Sequence, residues 1–94
     1  MSSELTIVIA YDVERNPTRR RVAKLLQDAL ARVQKSVFEG RLTGKEADRL
    51  FDAVTALLDD GDRARMYVIH AQGLAQCRAS GGTPLPHDGA YWLV

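Results

Sequence analysis

A single cysteine, Cys77, is the only thiol in this 94-residue chain. That excludes an internal disulfide and every multi-cysteine zinc motif, and a cysteine on its own reads as a small buried hydrophobe rather than a nucleophile. Long apolar runs are missing too: none approaches the ~20 residues that a membrane-crossing helix needs. The opening stretch MSSELTIVIAYD has no basic region before its apolar part and no small-residue cleavage pattern after it. It therefore reads as a strand and not a signal peptide, with the cytoplasm as the default location. No GxGxxG, phosphate-loop or HExxH sequence is present, so nucleotide-cofactor and zinc chemistry have no support. Repeats and low-complexity linkers are also lacking, and residues 1–94 read as one domain.

What is present is a globular composition, 46% hydrophobic and 27% charged. A chain this short is near the lower limit for burying its own core, which makes self-association an expectation. The net charge of +1 hides a division. Arg15, Arg19, Arg20, Arg21, Lys24, Arg32, Lys35 and Arg41 are opposed only by Asp28 and Glu39, and the following stretch reverses the sign with Glu46, Asp48, Asp52, Asp59, Asp60 and Asp62. One face of such a domain attracts polyanions.

Leu5 to Tyr11 is apolar on both alternating sets, Leu5, Ile7, Ile9 and Tyr11 against Thr6, Val8 and Ala10, which predicts a strand covered on both faces. Asn16 and Pro17 predict an N-cap and a first-turn proline. Val22, Leu25, Leu26 and Ala29 then follow at i, i+3, i+4, i+7, the stripe of an amphipathic helix of about four turns. Val33 to Phe38 has strand composition. Thr43 with Glu46 predicts a capping box, and Ala47, Leu50, Phe51, Val54, Leu57 and Leu58 carry a second helical stripe as far as Gly61. Arg65 to Ala71 predicts another strand, with shorter candidates at Ala75 to Ala79 and Ala90 to Val94. Strands and helices alternating this way place both helices on one side of a sheet. The other face, with Val8 and Ala10, would be wet in a monomer, so the expectation is a homodimer that hides it.

Asp12 closes the first strand and has two readings: a loop-initiating aspartate bonded to nearby amides, or a ligand for a hard cation such as Mg²⁺, which often takes only one or two protein carboxylates. Arg19, Arg20 and Arg21 lie in the first turn of the first helix, where the macrodipole disfavours cations. Arg20 falls opposite the apolar stripe and Arg19 and Arg21 flank it. Guanidinium groups beside a helix N-terminus make a competent phosphate cradle, and anion binding outweighs simple solvation here. Tyr11 and Phe38, taken singly, read as core. Ser36 has no identifiable base, His70 reads as a strand-end residue and His87 as a loop residue.

The ordered series IVIAYDV (7–13), RRRVAKLL (19–26), RVQKSVFEGRL (32–42), a helix and then MYVIHA is far more specific than any one element. It resembles the CRISPR-associated endoribonuclease family, the small adaptation protein that is the second member of the universal Cas pair. The resemblance implies an α+β, ferredoxin-like βαββαβ fold with an additional C-terminal strand within about residues 72–94, paired within or between the chains of a symmetric homodimer. Both middle strands would come from 31–42, where no turn signal precedes Gly40. Asp12 matches the family's Mg²⁺ ligand. Tyr11, Arg19, Arg21, Arg32 and Phe38 match positions tied to its nuclease function, and Arg19, Arg20, Arg21 and Arg32 are the implied nucleic-acid contacts. The implied role is to bind duplex DNA and bridge a larger CRISPR integrase partner during spacer acquisition, together with a weak or conditional Mg²⁺-dependent endonuclease activity on single-stranded RNA or duplex DNA. A toxin-type ribonuclease or a non-catalytic nucleic-acid-binding regulatory domain would share the architecture.

Overall fold

The structure is a computed structural model that describes residues 3–86. Its elements run β1 (Glu4–Asp12), α1 (Asn16–Gln27), β2 (Ala31–Gln34), β3 (Val37–Thr43), α2 (Gly44–Leu57), β4 (Arg63–Ile69) and the single turn α3 (Ala71–Leu74). The strands form one antiparallel sheet in the order β2-β3-β1-β4, the ferredoxin-like arrangement.

Strand geometry sends alternate side chains to opposite faces, and β1 uses both. Ile7, Ile9 and Tyr11 point toward the helices and are buried; Val8 and Ala10 point away and are half-buried. The registers extend the first set across the sheet, pairing Ile9 with Phe38 of β3 and with Met66 of β4. Val22 and Leu26 of α1 and Ala47 and Val54 of α2 complete this core. Gly40 sits beneath Leu30, whose Cδ2 would stand 2.7 Å from a Cβ at that position, so the glycine lets the chain leaving α1 lie close on β3.

Helix α2 starts as its sequence predicts but ends at Leu57, short of Gly61, with Leu58 already extended. The Thr43 hydroxyl accepts from the Glu46 amide, and the Glu46 carboxylate accepts from the Thr43 amide at 2.9 Å. These bonds hold the Glu46 carboxyl below the usual carboxylate range. Helix α1 differs from its expectation at both ends. Arg15, not Asn16, is the N-cap, and no side chain caps it. The helix stops at Gln27, because the Ala29 and Leu30 amides both return to the Leu26 carbonyl; Ala29 is exposed and Leu30 takes the buried place expected of it. β4 begins two residues earlier than Arg65 and ends at Ile69.

Ala75 to Ala79 is not a strand: α3 precedes it, and a turn and irregular chain follow. Cys77 there is partly exposed rather than buried, with its Sγ 3.4 Å from the Gly73 carbonyl oxygen. Ala90 to Val94 and His87 lie outside the described residues. The chain after β4 covers one end of the open sheet face. α3 touches β1 and β4, Leu74 and Pro86 are buried, and Thr83, Pro84 and Pro86 line a cleft with Val33, Glu39 and Arg41. Thr6 at that end is 2% exposed. No helix among the described residues is long and apolar enough to cross a membrane.

The middle strands divide at Lys35-Ser36, neither of which is a strong turn former and neither of which has a positive φ. Side chains hold the turn instead. The Lys35 carbonyl accepts from the Arg32 guanidinium through Nε at 3.2 Å and Nη2 at 2.9 Å, and from the Tyr11 hydroxyl at 3.4 Å. The Ser36 carbonyl accepts from the Tyr11 amide. Arg32 stands opposite Phe38 and so lies on the helices' side of the sheet, and the register shifts between it and Gln34, next to the turn.

Candidate nucleic-acid interface

The C-terminal end of β1, one side of α1 and the β2–β3 turn enclose a cleft of about 750 Å³. Tyr11 and Val13 line its base with Asp12 at the edge, Asn16, Arg19, Arg20, Ala23, Lys24 and Gln27 one wall, and Arg32, Lys35 and Ser36 the other. Five basic residues thus meet one carboxylate. The excess is concave and cationic, the form in which a protein gathers phosphates.

Each cation is placed by its element. Arg19 donates from Nη1 to the Val13 carbonyl at 3.1 Å and the Glu14 carbonyl at 2.7 Å, which fixes the guanidinium over the β1–α1 connection and leaves its other N–H groups for an anion. Arg20 and Lys24 lie one turn apart on α1 and share its exposed side. Arg32 rests on Phe38, its guanidinium carbon 5.3 Å from the ring centroid, and Phe38 in turn stacks on Tyr11 at 6.3 Å. Phe38 is fully buried and Tyr11 nearly so. Both support the cleft from beneath rather than offering a stacking surface. Arg21, the remaining arginine of the triplet, is exposed and does not line the cleft.

The start of α1 already has an anion of its own. Asp59, from the loop after α2, accepts from the Thr18 hydroxyl at 2.9 Å and pairs with Arg15 at 3.5 Å. Asp62 beside it accepts from the Glu14 amide. These carboxylates answer the helix dipole from within the chain. No motif announces this arrangement, because Asp59 lies 41 residues from Thr18; the acidic run after α2 is its only trace in the sequence.

Asp12 stands exposed at the cleft edge, paired with Arg63 at 2.7 Å. It is the only acid lining the cleft, and no group of three or more His, Cys, Asp or Glu side chains is placed to hold a metal among the described residues. A single carboxylate already engaged by a guanidinium does not make a Mg²⁺ centre within one chain.

A family model described as CRISPR associated protein Cas2 matches residues 5–77. The chain is 39% identical over 82 residues to a CRISPR-associated endoribonuclease Cas2 of Aeropyrum pernix, spanning 82% of this chain and 86% of that one. It is 45% identical over 56 residues to a CRISPR-associated endoribonuclease Cas2 of Thermus thermophilus, 60% of each chain. Among solved structures, a hypothetical protein from Thermus thermophilus superposes with a TM-score of 0.74 at 31% identity, over 86% of this chain and 96% of that one. Cas2 of Streptococcus pyogenes superposes with a TM-score of 0.68 at 29% identity, over 81% and 99%.

Proposed function

The chain belongs to the CRISPR-associated Cas2 family, and from that premise we propose that it works as a homodimer that holds nucleic-acid phosphates in the cleft beside α1. In this reading the dimer lies along duplex DNA during spacer acquisition and joins it to the larger integrase partner. The cleft carries the proposal: five basic residues around one carboxylate, with Arg19 and Arg32 held in place by backbone carbonyls. A fixed guanidinium loses little freedom on meeting a phosphate, and its fork geometry suits two oxygens at once. Interactions of this kind position a protein on the backbone and read little sequence.

Binding of a short labelled duplex across a salt series tests the proposal. Affinity is expected to fall linearly with salt on logarithmic axes, and Arg19→Ala with Lys24→Ala to lower both the affinity and the slope, by roughly 0.9 for each phosphate no longer neutralised. An unchanged affinity and slope would remove the cleft from the interface.

Hydrolysis is a second reading, favoured by the exposed Asp12 carboxylate at the cleft edge and by the endoribonuclease names of the relatives. Mg²⁺ would then need ligands beyond one chain, from the second copy and from substrate phosphate. Mg²⁺-dependent cleavage of single-stranded RNA and duplex DNA, compared between the parent and Asp12→Asn, decides it: equal cleavage by the two excludes Asp12.

A further inference from the structure

Arg19 is held by the carbonyls of Val13 and Glu14, which belong to neither β1 nor α1. A guanidinium fixed this way stands only as firmly as the connection beneath it. Arg15, the N-cap of α1, makes no side-chain capping bond, so the support comes from the turn between α2 and β4. That turn is closed by the Asp62 amide on the Asp59 carbonyl at 3.0 Å, with Gly61 at a φ of 87°. Asp62 then bridges outward. Its Oδ2 accepts from the Asp59 amide at 2.8 Å, and its Oδ1 accepts at 3.2 Å from the amide of Glu14, 48 residues away.

The Glu14 N–H and the Val13 carbonyl belong to one trans peptide unit, which is planar and sends the two groups in opposite directions. One side of that unit meets Asp62 and the other meets Arg19 at 3.1 Å. A carboxylate on the N–H also polarises the carbonyl toward the guanidinium. The same turn grips the chain on either side: Asp59 takes the Thr18 hydroxyl and Arg15, and Arg63, the residue after Asp62, takes Asp12.

Charge alone gives this turn the wrong sign for a phosphate site, since Asp59, Asp60 and Asp62 all repel a polyanion. Asp62 does not line the cleft, yet it holds the peptide on which Arg19 rests. We propose that Asp62 is a positioning residue for phosphate binding: by holding the Val13–Glu14 peptide it aims Arg19 into the cleft, and this order outweighs the repulsion of its charge. The proposal rests on the phosphate-cleft reading and adds to that site a residue from outside it.

Binding of a short labelled duplex to the full chain tests it with Asp62→Ala, Asp60→Ala, Arg19→Ala and the pair Asp62→Ala with Arg19→Ala. Asp62→Ala is expected to weaken binding by roughly threefold or more although it removes a negative charge. Its salt slope should fall by up to about 0.9, the share of one phosphate. Asp60→Ala removes the same charge from the same turn and is expected to leave affinity unchanged or raise it. Once Arg19 is alanine, Asp62→Ala has nothing left to aim and is expected to cost no further affinity. An unchanged or higher affinity in Asp62→Ala, an equal fall in Asp60→Ala, or a fall that persists in the Arg19→Ala chain overturns the proposal. If Arg19→Ala with Lys24→Ala leaves binding unchanged, the cleft reading falls and this proposal with it; if that pair weakens binding and Asp62→Ala does not, the positioning alone is overturned. Should Asp62→Ala prevent folding, Asp62→Asn enters the same cycle, because its carboxamide has one acceptor oxygen where the carboxylate uses two. A fall in affinity that disappears in the Arg19→Ala chain then upholds the proposal, and the absence of a fall overturns it.

Discussion

Arg63 donates a 2.7 Å hydrogen bond to the carboxylate of Asp12, its direct neighbour across the β1–β4 ladder. Both side chains are mostly exposed, at 78% and 73%, so the bond adds little to stability. Its chemical effect is larger. A guanidinium engages Oδ2 of Asp12 and neutralises the charge that would attract a cation.

Arg63→Gln should therefore raise the affinity of the chain for Mn²⁺ severalfold, measured by water-proton relaxation without nucleic acid. Arg65→Gln removes the same charge two residues away without freeing Asp12 and serves as the control. Equal effects in the two would show general electrostatics, with no specific hold on Asp12. Asp12→Asn should abolish the gain while leaving the fold intact.

The cleft makes a distinction among the three consecutive arginines. Arg20→Ala should weaken duplex binding and reduce its salt slope, because Arg20 lines the cleft; Arg21→Ala should change both far less. Equal losses from the two would mean that the nucleic-acid surface extends around α1.

Phe38→Ala should cost about 3–5 kcal/mol of stability, read by denaturant unfolding, since it removes a fully buried ring at the centre of the core. Phe38→Leu should cost less and keep the duplex affinity within a few-fold, because Arg32 is also held by the Lys35 carbonyl. A large loss of affinity in a folded Phe38→Leu variant would mean that the ring touches nucleic acid directly.

Two glutamates should shape the pH dependence of stability in opposite senses. Glu46 has a lowered pKa, so its contribution is present above the unfolded value and is lost as pH falls through the folded one. Glu46→Gln should flatten the acid side of the profile. Glu39 has a raised pKa, so the fold is favoured below the unfolded value and that advantage is lost as pH rises through the folded one. Glu39→Gln should stabilise the isolated chain at neutral pH. Denaturant unfolding at high dilution from about pH 3 to about pH 8 separates the two, and parallel profiles for parent and variants would contradict both.

Periodicity reveals most of the fold. The two helical stripes short of their last residues, Ala29 and Leu58, the capping box at Thr43 and the doubly apolar β1 each follow from local spacing and survive in the structure. The Lys35-Ser36 turn does not show in the sequence, because side chains support it, the Arg32 guanidinium and the Tyr11 hydroxyl, 24 residues away, and no Gly, Pro, Asn or Asp marks it. The end of α1 departs from its period for a related reason: Ala29 keeps the spacing, but Leu30 offers more apolar surface and the chain turns to bury it. In the site, the charge run exposes Arg19, Arg20, Lys24 and Arg32 as a group. Arg63 beside Asp12 and Asp59 beside Thr18 depend on strand register and loop docking, which composition does not encode.

The strand order also bears on how the protein is made. β1 emerges first, yet both of its neighbours in the sheet are synthesised later, and Arg63 follows Asp12 by 51 residues. At roughly 5–20 residues per second, a ribosome needs about 3–10 s to cover that interval. Both edges of the β-branched first strand are open until β3 emerges, and one stays open until β4 does, a template for unwanted pairing. Heterologous yield should therefore depend on how quickly codons 13–69 are read and on chaperones that shelter the first strand, more than on the stability of the finished fold.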